Sequence, residues 1–124
     1  MKDFRELTVW QRSHGLVLAI YRRTTGFPKH ELYGLTSQIR RAAASIPANI
    51  AEGCGRGTDP DFARFLHMAF GSGCELEYHL LLAKDLGYAE EQDYLKLNGE
   101  RVEIKRMLAA LMKRVKSLPL KADR

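Results

Sequence analysis

The sequence predicts an all-α protein, an antiparallel up-down-up-down four-helix bundle. Apolar residues recur at spacings of three and four along four successive stretches, and glycine, proline and capping residues separate these stretches by short connections. No stretch shows the alternation of apolar and polar residues that is typical of a half-buried strand. Short connections place successive helices side by side, so we expect a single domain over residues 1–124 with helices at about 8–25, 30–53, 59–86 and 90–118.

The first predicted helix begins at Thr8 and ends before Gly26 and Pro28. Gln11 lies three residues after Thr8, which is the spacing of a capping box. The inner stripe of this helix is Val9, Leu16 and Ile20.

The second predicted helix begins at about Lys29 or Glu31 and contains the run RRAAASIPANIAEGCGR, residues 40–56. Pro47 lacks an N–H and leaves the carbonyl of Ala43 without its helical partner, so we expect a kink there. The side chain of Ser45 or Asn49 could donate a hydrogen bond to that carbonyl instead. The inner stripe is Leu32, Leu35, Ile39, Ala42, Ile46 and Ile50.

A polar stripe runs beside this apolar one. Its members are Arg41, Ser45, Asn49 and Glu52. One interpretation is a binding surface in which Arg40 and Arg41 contact phosphate. The other is a polar network between the second and third helices in which Glu75 or His79 takes part. The mixed polarity favours the network, because such side chains satisfy one another more readily than they satisfy one ligand.

The third predicted helix opens with TDPD, residues 58–61. Thr58 or Asp59 can cap it, and Pro60 suits its first turn. Besides an inner stripe it carries apolar residues on other faces, namely Met68, Phe70, Tyr78, Leu81 and Leu82. A helix that is apolar nearly all round is usually buried all round, so this second face predicts a subunit interface and a homo-oligomer.

The fourth predicted helix has the most regular pattern, interrupted by Arg101 and closed by Pro119. Its inner stripe is Tyr94, Leu97, Ile104, Leu108, Leu111, Val115 and Leu118. Away from that stripe lie Lys105, Arg106, Lys113, Arg114 and Lys116. These cations could bind phosphates with salt-dependent affinity. A merely solvated face is the alternative, because no aromatic residues for base stacking lie between the cations.

The net charge of +5 is concentrated near the C-terminus. Residues 96–124 hold nine basic and three acidic side chains, whereas the other residues hold 11 basic and 12 acidic ones. Such a distribution is compatible with nucleic acid or another polyanion.

Cysteine usage and hydropathy predict a cytoplasmic protein that does not enter a membrane. Cys54 and Cys74 show no metal-ligand spacing, and the opening MKDFRELTVWQRS has no apolar core of signal-peptide length. No stretch approaches the ~18 unbroken apolar residues of a spanning helix.

Motifs for catalysis or metal binding are not supported. Glu75, Glu77 and His79 offer carboxylate–histidine spacings on one helix only, whereas carboxylate-bridged metal pairs in bundles need them on two. Arg23 and His30 have the formal spacing of a helical RNase motif, but a helix stop lies between them. We therefore expect no enzyme, no metal, no cofactor and no small-molecule substrate.

The glycine-rich run GCGRG, residues 53–57, resembles a phosphate-binding loop only in its glycines. It lacks the preceding strand and the following Lys-Ser/Thr of a P-loop. Its expected role is to end the second helix, although Arg56 could reach an anion near the N-terminus of the third.

Three segments resemble one known family. They are LTVWQRS at 7–13, FPKHELYGLTSQIRRAAASIPANIAEGCGR at 27–56 and FLHMAFGSGCELEYHL at 65–80. They are similar to the four-helix-bundle proteins encoded by intervening sequences within bacterial 23S ribosomal RNA genes, over about residues 4–90.

This resemblance implies a four-helix bundle that assembles as a ring-like pentamer. A more distantly similar group, the accessory variability determinant proteins of diversity-generating retroelements, implies a basic pentamer that binds nucleic acid and a reverse transcriptase. The resemblance implies no enzymatic activity. Its signature residues carry no assigned roles; they are Gln38, Arg40, Arg41, Pro47, Asn49 and Glu52.

The resulting hypothesis is a non-catalytic, homo-oligomeric bundle, expected to be a pentamer, that binds nucleic acid, with RNA favoured over DNA. The expected contacts are Arg40, Arg41, Arg56, Lys105, Arg106, Lys113, Arg114 and Lys116. A protein-interaction or assembly scaffold with a merely solvated basic face is the alternative, and a helical RNase is a third. The sequence leaves open the ligand, the ring size, and whether the gene lies inside a ribosomal RNA operon.

Overall fold

The computed structural model describes residues 3–117. Within that range the chain forms four α-helices and two short 3-10 turns and contains no strand, so the predicted all-α class is confirmed. The helices are α1 (Thr8–Thr24), α2 (Leu35–Gly55), α3 (Asp59–Asp85) and α4 (Glu91–Ser117), and the 3-10 turns are Phe4–Glu6 and Lys29–Glu31. None of these helices has both the length and the apolar character that crossing a membrane requires.

Contacts between helices show the up-down-up-down arrangement. Arg12 of α1 meets Glu100 of α4, and Arg23 meets Asp93, so residue numbers rise on one helix as they fall on the other. The other contacts with this reversed order are Ser45 with Ser72, Gly53 with Phe65, Glu77 with Arg101, and Lys84 with Glu91. Each helix packs against its neighbours in sequence and α4 closes on α1, which leaves α2 and α4 at opposite corners.

One apolar core lies between the four helices. Its largest fully buried apolar side chains are Ile20, Ile39, Ile46, Ile50, Leu66, Leu76, Leu80, Ile104 and Leu108. Burying one such side chain contributes roughly 1.5–3 kcal/mol relative to leaving it in water. The predicted inner stripes are confirmed at these positions, because burial of apolar surface decides which side of an amphipathic helix turns inward.

The start of α1 corrects the predicted capping box. Leu7, not Thr8, occupies the N-cap, and no side chain caps it. The Gln11 amide instead donates a 2.8 Å hydrogen bond to the carbonyl of Arg5, in the preceding 3-10 turn. The Gln11 side chain thus joins α1 to that turn.

The start of α2 also differs from the prediction, because α2 begins five residues later than residue 30. The backbone N–H of Leu35 donates a 3.0 Å hydrogen bond to Glu31 Oε1, so the side chain of the 3-10 turn satisfies the first turn of the helix. Leu32 therefore lies outside α2 and is 46% exposed, and its assignment to the inner stripe was wrong.

The middle of α2 remains helical through Pro47, which is buried. The Asn49 amide donates a 2.8 Å hydrogen bond to the carbonyl of Ser45, not to that of Ala43, so the expected compensation of Ala43 by Asn49 was wrong. The helix extends two residues beyond the predicted end, to Gly55.

The ends of α3 agree with the sequence prediction. Thr58 is the N-cap and its hydroxyl accepts a 3.3 Å hydrogen bond from the Asp61 N–H. The helix ends at Asp85, and Gly87 follows with φ +78°, a left-handed conformation that glycine adopts without strain.

Arg101 is the polar interruption within the inner stripe of α4. It is 3% exposed, its Nε donates a 2.8 Å hydrogen bond to Asn98 Oδ1, and its Nη2 lies 3.5 Å from a carboxylate oxygen of Glu77 on α3. The charge is thus accommodated at the border between α3 and α4. The predicted stripe member Leu118 and the closing Pro119 lie outside the described residues.

Candidate nucleic-acid interface

The eight cations predicted to bind nucleic acid do not form one surface. Arg40 and Arg41 lie on α2, Arg56 follows the end of α2, and the other five lie on α4. Because α2 and α4 occupy opposite corners of the bundle, the two groups face different directions. Each group has to be judged by its own surroundings.

The last turns of α4 carry three cations that have no ion-pair partner among residues 3–117. Lys113, Arg114 and Lys116 are exposed, and none forms an ion pair with another residue in the range 3–117. We call these three residues the basic end. Arg114 and Lys116 also lie where cations stabilise the negative C-terminal end of a helix. Their charge nevertheless remains available to an external anion.

Arg106 extends this surface towards the middle of α4. Its side chain is 72% exposed and lies 3.6 Å from the Glu103 carboxylate, a pair that solvent screens strongly. From residue 106 to residue 116 the helix rises about 15 Å. The cations therefore form an elongated strip, as phosphate contacts along a strand require.

Lys105 lies against α3 and is half-buried. Its ammonium is 4.8 Å from the centre of the Phe70 ring and 3.8 Å from Glu77 Oε1, and its side chain covers Gly73. Two attractive contacts and a packing role hold it in place. Lys105 is thus a contact between helices in addition to a cation.

Arg40 and Arg41 are adjacent in sequence but differ in environment. Arg40 Nε donates a 2.9 Å hydrogen bond to Thr24 Oγ1, and its guanidinium lies 4.7 Å from the centre of the Tyr21 ring, so it joins α2 to α1. Arg41 is exposed and forms no ion pair with another described residue. Only Arg41 is unrestrained.

Arg56 is held by contacts of its own. Its Nη2 donates a 2.9 Å hydrogen bond to the Glu52 carboxylate, and its guanidinium lies 4.9 Å from the centre of the Phe65 ring. The next residue, Gly57, has φ +89° and turns the chain towards α3.

The predicted polar stripe of α2 divides into three parts. Ser45 Oγ accepts a 2.8 Å hydrogen bond from Ser72 of α3, and Asn49 also binds Ser45, so the centre is a network between helices. Glu52 binds Arg56, and Arg41 faces solvent. The network interpretation therefore holds for the centre of the stripe and leaves Arg41 as a separate surface group.

Glu75 and His79 pair with each other and not with this stripe. His79 Nε2 lies 3.2 Å from Glu75 Oε2, and His79 Nδ1 is buried with no hydrogen-bond partner. With one ring nitrogen facing Glu75 and the other buried, this histidine presents no nitrogen to a substrate. Among residues 3–117 no group of three or more His, Cys, Asp or Glu side chains is close enough to hold a metal ion.

Arg23 and His30, which have the formal spacing of a helical RNase motif, contact different residues. Arg23 lies 3.0 Å from Asp93 of α4, and the His30 ring meets the Tyr88 ring edge-on. Of the two thiols, Cys54 is buried, and burial raises its pKa, which disfavours the reactive thiolate.

A groove of about 400 Å³ lies between α1 and α4. The small residues Gly15 and Ala19 leave space for it. Arg12 donates hydrogen bonds of 2.8 and 2.9 Å to the two carboxylate oxygens of Glu100 across it. These bonds hold the pKa of Glu100 below its ordinary value. Because this charged pair is mutually satisfied, the groove is less suited to a small anion than its arginine suggests.

The sequence interpretation missed a row of aromatic side chains on α1. Trp10, His14 and Tyr21 lie on one side of the helix, and Trp10 stacks on His14. The spacing of four and seven residues was visible in the sequence.

Comparisons with known proteins agree with this architecture. The profile of the family described as 23S rRNA-intervening sequence protein matches residues 5–110. The chain is also similar to a crystal structure, at 1.70 Å, of a protein of unknown function from the S23 ribosomal protein family of Bacteroides thetaiotaomicron VPI-5482. Sequence identity is 27%, the TM-score is 0.77, and the match covers 86% of this chain and 99% of that one. A comparison with curated protein sequences finds no match.

Proposed function

Since the chain belongs to the 23S rRNA-intervening sequence protein family, we propose that it is a non-catalytic, homo-oligomeric RNA-binding protein of the cytoplasm. The basic end of α4 is the single observation that carries this proposal. Three neighbouring cations that have no carboxylate partner in the described part of the chain create a positive potential that attracts phosphate.

The distribution of charge among the helices supports the choice of α4. Helix α4 contains seven basic and four acidic residues, whereas α3 contains two basic and five acidic residues. A polyanion is therefore attracted to α4 and repelled by α3. RNA is favoured over DNA because the family description names an intervening sequence of 23S rRNA.

The outer side of α3 supports the homo-oligomer. Met68, Tyr78 and Leu81 are large apolar side chains that remain exposed on this helix. Tyr78 and Leu81 are neighbours at i, i+3, and we call these two residues the α3 apolar patch. A ring that buries this patch, such as the pentamer that the resemblance implies, would repeat the basic end around its axis. Repetition raises the affinity for a long strand through multivalency.

We propose that the protein is not catalytic because the candidate catalytic side chains are already bound or buried. The nitrogens of His79 are engaged or buried, and Arg23 binds Asp93. General acid–base catalysis requires a titratable atom within hydrogen-bond reach of the substrate, which these groups do not offer.

A protein-interaction scaffold is the second candidate. The acidic and apolar character of α3 favours it, because such a surface suits another protein better than it suits RNA. In that case the basic end of α4 is only solvated.

A salt titration separates these two functions. Labelled RNA and duplex DNA of equal length are titrated with protein from about 50 mM salt upwards, and log affinity is plotted against log salt concentration. We expect RNA to bind with a steep negative slope, which the Lys113→Gln/Lys116→Gln variant reduces by about 1 to 2.

The matched control is the Lys29→Gln/Lys96→Gln variant, which removes the same charge at two exposed positions away from the basic end. An equal loss in the control would contradict the assigned surface. Failure of RNA to bind at the lowest salt concentration would contradict RNA binding altogether and favour the scaffold.

A further inference from the structure

The aromatic residues of α1 form a row on the outer part of the bundle beside α2. Trp10, His14 and Tyr21 recur at intervals of four and seven residues, which places them on one side of the helix over a rise of about 16 Å. We call these three residues the aromatic row. His14 is exposed, Trp10 is half-buried, and Tyr21 is 45% exposed.

The first two rings are already arranged as a stack. The Trp10 and His14 ring centres are 5.0 Å apart with only 11° between their planes. Phe4 meets Trp10 edge-on with ring centres 4.9 Å apart, which supports Trp10 from the other direction. The helical i, i+4 contact alone explains the pairing of Trp10 with His14, but it does not explain why an exposed tyrosine continues the row.

The third ring, Tyr21, carries a positioned cation. The Arg40 guanidinium lies 4.7 Å from the Tyr21 ring centre, and its Nε is bound to Thr24 Oγ1. The two terminal nitrogens of Arg40 have no partner within the described residues. The guanidinium lies over one face of the ring, which leaves the other face for a base, and Tyr21 is 45% exposed. A fixed guanidinium on one face can take a phosphate while a base stacks on the opposite face.

Helices α1 and α2 each carry a net positive charge, which favours binding of a polyanion. Helix α1 contains three arginines and no carboxylate, and α2 contains two arginines and one carboxylate, Glu52. Glu52 is paired with Arg56, while Arg12 and Arg23 are paired with carboxylates of α4. Arg22 and Arg41 are exposed and have no such partner within residues 3–117.

Small residues on α2 leave room beside the row. Ala44, Ala48 and Ala51 lie on or next to the side of α2 that carries Arg40, and each is at least partly exposed. Because alanine side chains are short, they project little from α2, and planar groups can approach the rings of α1.

The aromatic row begins at the end of the bundle where the basic end of α4 lies, and it runs away from that end. Arg114 lines a groove of about 330 Å³ together with Leu7 and Thr8 at the start of α1, and Glu6 is the acidic residue of that groove. A strand bound at Arg114 is therefore close to the first residues of α1.

We propose that the aromatic row, together with Arg40, binds the unpaired bases of single-stranded RNA. Bases would stack on the rings of His14 and Tyr21 without regard to sequence, because every base has a π-face, and the arginines would neutralise the phosphates. Duplex RNA hides its bases and can use only the cations. This inference rests on the proposed RNA binding and defines which form of RNA is preferred.

Trp10 is the only tryptophan of the chain, so its fluorescence reports directly on the row. The full chain is titrated with an oligouridylate of about 12 nucleotides, a length within the range of single-stranded binding sites, and with an RNA duplex of the same length. Anisotropy of a label on the RNA measures binding independently. We expect the single strand to quench Trp10 in step with the anisotropy, and the duplex to bind without quenching.

Two exposed substitutions complete the test. His14→Ala and Tyr21→Ala should each weaken binding of the single strand about tenfold, as expected for loss of one stacking surface, and leave duplex binding unchanged. Tyr33→Ala is the matched control, because Tyr33 is 92% exposed and lies outside the row. Circular dichroism verifies that each variant is folded.

The outcomes distinguish this inference from the function on which it rests. If the single strand binds but leaves Trp10 fluorescence and the affinity of both alanine variants unchanged, the aromatic row is not the site and RNA binding stands. If neither RNA binds at low salt, both the inference and the proposed function are overturned.

Discussion

The hydroxyl of Tyr88 donates a 3.0 Å hydrogen bond to Glu31 Oε2. Glu31 belongs to the turn before α2 and Tyr88 to the turn between α3 and α4, so one bond joins the two connections at this end of the bundle. The other oxygen of Glu31 accepts the N–H of Leu35. These bonds, that of Leu35 first, lower the pKa of Glu31, and the carboxylate in turn raises the pKa of Tyr88.

Glu31 should therefore make stability depend on pH in the acid range. A carboxylate whose pKa is lowered by folding contributes stability above its unfolded pKa and loses it as the pH falls through the folded pKa. Here that window lies below the ordinary value of 4.5. Glu31→Gln should lower Tm near neutral pH, and its difference from wild type should shrink below that value.

Thermal melts followed by circular dichroism across this pH range measure the effect. Tyr88→Phe removes only one of the two bonds, so its loss should be the smaller one. Glu100, whose pKa is lowered by Arg12, leaves some acid sensitivity in every variant. A Glu31→Gln difference that stayed constant with pH would contradict the assignment.

Gly53 is the position where α2 and α3 tolerate no side chain. A Cβ there would lie 2.9 Å from Phe65 Cβ and 3.1 Å from Phe62 Cδ1. Gly53→Ala should lower the free energy of unfolding by about 1–3 kcal/mol, because these rings are held in the core. Gly15→Ala, in α1 with nothing within 4 Å, should instead raise it by about 0.5–1 kcal/mol. Urea unfolding of both variants checks this opposition in sign.

Arg101 and Glu77 should respond asymmetrically to substitution. Glu77 is 52% exposed and also lies near Lys105, so it stays solvated and paired when the buried arginine is replaced. Arg101→Met should therefore change the free energy of unfolding by less than about 1.5 kcal/mol.

Glu77→Gln keeps an oxygen that can accept a hydrogen bond but removes the negative charge that lies 3.5 Å from the buried Arg101 guanidinium. We expect a larger loss, about 1–3 kcal/mol, because a buried charge then lacks its counter-charge. Chemical denaturation measures both variants. Equal losses would show that packing of the long side chain, and not charge, dominates at this position.

The α3 apolar patch should control the oligomeric state. Placing a charge in a buried apolar interface is costly, so Tyr78→Glu/Leu81→Glu should dissociate the proposed homo-oligomer to monomers. Leu95→Glu, at an exposed apolar position of α4, is the control and should leave the assembly intact. Multi-angle light scattering at micromolar concentration measures the mass. A monomeric wild type would contradict the homo-oligomer itself.

The helices were predictable because their apolar periodicity is local in sequence. Ile39, Ile46 and Ile50 mark the inner side of α2 without any knowledge of their neighbours, and all three are fully buried. The Thr58 cap was predictable for the same reason, since its partner Asp61 is three residues away. The start of α2 was not, because Glu31 caps it from outside the periodic pattern.

The cations illustrate what only tertiary structure decides. By sequence alone Arg40, Arg41, Lys105 and Lys113 are equivalent positive charges on helices. Packing places Arg40 against Tyr21 and Thr24, and Lys105 against Phe70 and Glu77, while Arg41 and Lys113 remain without partners in the described range.

The sequence by itself determined four helices, their inner faces and the family resemblance, because burial of apolar surface and local capping depend on residues a few positions apart. The helical pattern on both sides of Pro47 was likewise local, and α2 continues through that residue. Only the tertiary structure decided which polar groups satisfy one another and which remain available to a ligand. Those interactions are short-ranged in space and join residues such as Ser45 and Ser72, or Glu31 and Tyr88, that are distant in sequence.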